Sequence, residues 1–370
     1  MADSTSQTLR PNLPETLRIL RLDPIHTPSP DFSSLPIPYT VTELPNPPPK
    51  GDELITYLKP AHVLISTRFF LTSSILSQLP NLKHVAILAI GTDHIDIAYC
   101  KEHGISVSNV PAASNEAVSE HGLTLYMALR RNVVGMHERT REGKEWKEKG
   151  SLSEHFYGGL MTGFKGEVVG VVGGGELVRT TARTFGTDED RVLKWASGIE
   201  ASGNRIANLC RALGMTVQFC ERKGVTESET RPNYTPFTTV LKTSTVLFLS
   251  LPLTPTTENM IASAELSIMR PDALIINIAR GGIVNEEDLV DALKQGKVAG
   301  AATDVYVEEP AGENNTLVKA ARDSELRDSG RLILSPHVAW YGKSSVEKLR
   351  RVVIENIKGW CEGVGGNVVG

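Results

Sequence analysis

Along most of this 370-residue chain, short apolar runs of strand length alternate with stretches patterned for helices, and nothing else in it constrains the fold as strongly. Runs at 62–66, 84–90 and 105–110 are separated by helical stretches at 72–78 and 96–103. A second series has runs at 166–173, 216–220, 246–249, 273–277, 300–304 and 332–334, with helices such as 263–269 and 286–295 between them. An apolar strand followed by a helix is the βαβ unit of a parallel sheet covered on both faces. The reading is therefore α/β, with two doubly wound parallel-sheet domains. The first fifty residues are rich in Pro and Ser and predict an irregular edge, with strand-like runs only at 17–22 and 39–44. The final helical stretch, 344–360, has no strand after it and is expected to return to the first domain. Hinges near Val110 and Pro336 then define a discontinuous domain, 1–110 with 336–370, and an inserted one, 111–335.

Charge narrows the function classes. A formal net charge of −4 with both signs interspersed excludes a basic stripe for nucleic acid and a polybasic membrane patch. Cys100, Cys210, Cys220 and Cys361 lack paired spacing, which predicts reduced thiols and no metal site. The chain reads as having no apolar leader and no span for a bilayer, so a cytoplasmic protein is expected.

A dinucleotide is the first ligand the pattern suggests. Gly173-Gly174-Gly175 ends the apolar run at 166–173, where backbone amides and a helix amino end can approach a pyrophosphate. Glu221 ends the next run and can accept ribose hydroxyls, which favours NAD, while Arg222 beside it keeps NADP open. The motif is interrupted. Glu176-Leu177 fits the spacing before a third glycine and Gly203 fits that glycine, but residues 178–202 stand between them. This mixed, polar stretch, Val178 to Ser202, reads either as a retained intron or splice variant, or as a surface excursion that spares the site.

Three further strand ends carry charged groups. Arg280 follows the run at 273–277, Glu309 follows Asp304 in Asp304-Val305-Tyr306-Val307-Glu308-Glu309-Pro310, and His337 lies in Ser335-Pro336-His337-Val338-Ala339-Trp340. The carboxyl edge of a parallel sheet is where ligands bind in open α/β folds. A fixed cation, an imidazole and a carboxylate that holds the imidazole suit carbonyl reduction of an acidic substrate. Glu309 is expected to favour the imidazolium form of His337.

With these stretches, the segments 89–96, 109–111, 116–121 and 251–255 make the chain resemble the D-isomer-specific 2-hydroxyacid dehydrogenases, from about His62 onward. Within them it looks most like the glycerate dehydrogenase or hydroxypyruvate (glyoxylate) reductase branch. The resemblance implies a Rossmann NAD(P)-binding domain inserted in a flavodoxin-like substrate domain. It implies Arg280 as the substrate-binding cation, His337 as the acid/base and Glu309 as its partner, while Ile90 and Gly91 offer amides to the substrate carboxylate. Leu251, Pro252, Ile278 and Asp304 match positions lining the dinucleotide, and helix 115–131 matches a homodimer contact. The implied reaction interconverts a small 2-oxo acid and its D-2-hydroxy acid.

Departures accompany the match. The glycine motif is broken, Ser250 stands where the family often has His, and the chain from Glu309 to His337 is long, with 313–329 expected as a surface loop. These features keep two alternatives open: a dinucleotide-sensing or partner-binding protein of the same fold, and an inactive product of mis-splicing.

Overall fold

The computed structural model describes residues 13–156, 163–173, 202–364 and 366–369. It divides into two compact units, one of Met1–Ser114 with Gly342–Gly370, the other Asn115–Tyr341. In the first unit, β1 (Leu17–Arg21), β2 (Tyr39–Glu43), β3 (Val63–Ser66), β4 (His84–Ile87) and β5 (Ser106–Ser108) form one sheet in the order β2-β1-β3-β4-β5. Every pairing in it is parallel. The edge expected to be irregular is instead a regular parallel pair, with Leu17 level with Tyr39 and Arg21 with Glu43. The side chain of Arg21, buried at the edge, donates to Glu43 and to the Thr27 carbonyl, tying the Pro-rich connection down. The last helix, Lys343–Glu362, belongs to this unit, as expected from its lack of a following strand. There the Asn356 amide donates to the Asn109 carbonyl, and Trp360 stacks on His84 at 5.1 Å.

In the second unit, β6 (Val168–Val172), β7 (Thr216–Cys220), β8 (Tyr234–Thr235), β9 (Val246–Leu249), β10 (Leu274–Asn277), β11 (Gly300–Thr303) and β12 (Leu332–Leu334) form a sheet in the order β12-β11-β10-β9-β6-β7-β8. All its pairings are parallel, and the order reverses at β6 and β9. That is the doubly wound arrangement whose switch point accepts dinucleotides. The apolar runs are explained by burial on both faces. Leu247 and Leu249 of β9 join one core with Ile275, whereas Val246 and Phe248 join the opposite core with Leu274 and Ile276.

Two boundaries shift. The units part at Ser114 and Tyr341 rather than Val110 and Pro336, because the segment after β12 is hydrogen-bonded to Asp304 at the end of β11. The polar stretch 313–329 is not a loop but two short helices, Thr316–Arg322 and Ser324–Ser329. Asn315 and Asp323 cap their amino ends, and Leu317, Ala320 and Leu326 enter the core beside β12.

Candidate active site

Two glycines of the interrupted motif, Gly173 and Gly203, meet in space. Gly173 follows β6 with φ +104°, and a Cβ there would lie 2.0 Å from the Ser250 carbonyl oxygen, so only glycine fits. Gly203 lies in the first turn of the helix Ser202–Ala212, and a Cβ there would lie 2.6 Å from the Gly173 carbonyl oxygen. The helix amino end thus meets the end of β6, the arrangement a pyrophosphate cradle requires. Ser202 adds an anchor: its hydroxyl donates to Asn115 and its carbonyl accepts from Ser119. Gly175 and residues 178–201 lie outside the described residues.

Around this turn stand the other expected dinucleotide positions. Leu251 and Pro252 follow β9, and the Leu251 Cβ would lie 3.0 Å from a Cβ on Gly173. Ile278, after β10, is buried against Gly122 of the helix Asn115–Arg130. Glu221 follows β7, but its carboxylate is 2 % exposed and fully engaged. It accepts from the Arg222 and Arg231 amides at 2.8 and 3.0 Å and from the Arg231 guanidinium at 2.7–3.1 Å. The Arg231 bonds hold its pKa down to about 2. Arg231 sits ten residues on, outside any motif, and no pattern in the chain singles it out.

Arg280, Glu309 and His337 follow the neighbouring strands β10, β11 and β12, so sheet order brings them to one edge. The Arg280 turn is fixed by Asn277, whose side chain donates to the Arg280 carbonyl and accepts from the Ala279 amide. Gly281 lets this turn touch the next: a Cβ there would lie 1.8 Å from the Tyr306 carbonyl oxygen. Tyr306 in turn donates its amide to Glu309 Oε1 at 3.0 Å. Glu309 Oε2 and His337 Nδ1 are 2.5 Å apart, each side chain one-quarter exposed.

The loop bearing His337 is held in an uncommon shape. His337 has φ +53°, a left-handed conformation that costs a non-glycine residue about 1–2 kcal/mol. Asp304, 1 % exposed, compensates by accepting from the Val338 amide at 3.0 Å and the Ala339 amide at 2.8 Å. It also accepts from the Ser335 hydroxyl at 2.6 Å, which lies 2.9 Å from His121 Nε2. Asp304, expected along the dinucleotide, is placed as an anchor of the loop bearing His337. His121 and Ser335 complete that anchor.

Ile90 and Gly91 lie just beyond β4 in the first unit, where Ile90 is 36 % exposed and its carbonyl accepts from Asn109. The four cysteines are unpaired and buried, with thiol pKa values pushed up to about 11 or 12, burial the first cause. Glu145, Glu154 and His155 are close enough to share an ion, but Arg139 and Lys149 already pair with the carboxylates. Among the described residues no helix is long and apolar enough to cross a membrane.

The chain is similar to proteins of one family. The family model described as D-isomer specific 2-hydroxyacid dehydrogenase, NAD binding domain, matches residues 196–339. The match spans Gly203, Arg280, Glu309 and His337 but begins beyond Gly173. The chain is 32% identical to the glycerate dehydrogenase of Methylorubrum extorquens, covering 86% of this chain and 88% of that protein. It is 30% identical to the glyoxylate reductase of Thermococcus litoralis, covering 86% of each. The D-lactate dehydrogenase of Aquifex aeolicus, solved with NAD and lactic acid, shares the fold at TM-score 0.69 and 23% identity, over 93% of this chain and 96% of that one.

Proposed function

The chain belongs to the D-isomer-specific 2-hydroxyacid dehydrogenase family, and we propose that it reduces a small 2-oxo acid of the glyoxylate or hydroxypyruvate type to the D-2-hydroxy acid. The observation that carries this reading is the Glu309–His337 pair, set on a carboxylate-anchored loop beside the Arg280 turn. A bound reduced nicotinamide supplies the hydride. The residues that would hold the dinucleotide are Gly173, the amino end of the helix beginning at Ser202, Leu251, Pro252 and Ile278.

As hydride reaches the carbonyl carbon, negative charge develops on its oxygen. With Nδ1–H donated to Glu309, His337 presents Nε2, whose proton passes to that oxygen. In the oxidising direction the bare Nε2 takes the proton from the hydroxyl, and Glu309 stabilises the resulting imidazolium. The Arg280 guanidinium binds the substrate carboxylate and polarises the carbonyl, a task for a planar fork of donors.

The broken glycine motif was the ground for a binding protein without catalysis, and the packing of Gly203 on Gly173 weighs against that reading. Oxidation of NADH or NADPH with glyoxylate and hydroxypyruvate tests the proposal, on the full chain and on a variant lacking 178–202. Turnover abolished by His337→Asn supports it; no turnover in either folded form overturns it. Activity only after the deletion supports a retained intron. A homodimer is part of the proposal, tested by light scattering.

A further inference from the structure

The register of β6 and β7 pairs Val171 with Phe219, which puts Gly173 level with Glu221. An acid at that level would receive the ribose hydroxyls of a dinucleotide and repel a 2′-phosphate. Here the carboxylate cannot do either while its present bonds last. A carboxylate has about four acceptor directions. Those of Glu221 are filled by two backbone amides and by Nε and Nη2 of Arg231. Arg231 is itself held, its guanidinium carbon 3.9 Å from the centroid of the Tyr234 ring, and it stays 31% exposed. Its charge cancels that of Glu221, and Arg222 and Lys223 follow directly in the chain. Lys223 pairs with Glu265.

We propose that Arg231, by sequestering Glu221, sets the coenzyme preference of this chain towards NADPH. The inference deepens the dehydrogenase reading and rests on it. A 2′-phosphate approaching this strand end meets an ion-paired acid with a guanidinium at its edge rather than a bare carboxylate. The ribose hydroxyls of NADH, in turn, find no open acceptor on Glu221.

Equilibrium titration tests this without turnover, following nucleotide fluorescence as the full chain binds NADH or NADPH, with displacement by 2′,5′-ADP. The native chain is expected to bind NADPH at least as tightly as NADH and to be displaced by 2′,5′-ADP better than by AMP. Arg231→Met, checked for its melting temperature, is expected to move the ratio towards NADH by about ten-fold or more. Arg231→Lys, which keeps the charge but not the fork, is expected to fall between them. A native chain that binds NADH about ten-fold more tightly overturns the inference and leaves the dehydrogenase reading standing. An unchanged ratio in folded Arg231→Met also overturns it. Binding of neither dinucleotide by the native chain overturns both.

Discussion

Gly203 rests on the carbonyl of Gly173, close enough that a single added carbon would lie 2.6 Å from that oxygen. The contact joins two halves of a motif that the chain separates by Val178 to Ser202. Close approach of this kind tolerates no side chain. Gly203→Val is expected to push the helix off the strand end and weaken dinucleotide binding about ten-fold or more, read by fluorescence titration. Equal affinity in the variant would show that the contact is not part of the cradle.

Joining Leu177 to Gly203 restores a continuous glycine motif. Since the contact is made by Gly173 and Gly203 themselves, the shortened chain, which loses the Ser202 anchor but keeps both glycines, is expected to fold and to keep its dinucleotide affinity within a few-fold. Circular dichroism and titration check this, and an unfolded product would show that the stretch supports the second unit.

His337→Asn and Glu309→Gln test the acid/base pair. The first is expected to lower kcat by roughly 10²–10⁴-fold, with melting temperature little changed, because the side chain is partly exposed. The second removes the charge that holds Nδ1–H and is expected to lower kcat less than the first. Rates within two-fold of native for both would remove the pair from the reaction.

Asp304→Asn separates anchoring from chemistry. The amide offers one acceptor oxygen where the carboxylate now takes two backbone N–H groups and a hydroxyl, so a buried donor loses its partner. The cost is about 1–3 kcal/mol of stability, and kcat is expected to fall as the loop relaxes from its left-handed turn. Denaturant unfolding and steady-state kinetics read the two effects.

Acid sensitivity has a local source at His84. Burial lowers its pKa from 6.5 to about 3, so the folded state favours the neutral ring. The associated stability is complete above 6.5 and is lost as pH falls towards 3, at about 1.4 kcal/mol per pH unit. His84→Gln is expected to flatten the fall in unfolding free energy across that window. An identical slope in the variant would place the sensitivity elsewhere.

The parallel sheets and the three charged strand ends were legible because strands buried on both faces leave uninterrupted apolar runs, and the residues just past them are fixed in place. Arg280, Glu309 and His337 needed only that logic. The runs at 17–22 and 39–44 are β1 and β2, but the edge read as irregular because the Pro- and Ser-rich stretches around them carry no apolar period and β2 is largely exposed. The 313–329 stretch hid two helices because only a few apolar residues, Leu317, Ala320 and Leu326 among them, enter the core. The Glu221–Arg231 pair was invisible because nothing in a sequence marks which cation a buried acid will choose.

Asp304 reads peptide nitrogens at positions 338 and 339, not what those residues carry on their Cβ atoms. Position 338, whose valine is 40 % exposed, can therefore change its side chain without moving the imidazole next to it. Variation in the side chain at 338 and constancy in the placement of the 337 imidazole are thereby uncoupled within two adjacent residues.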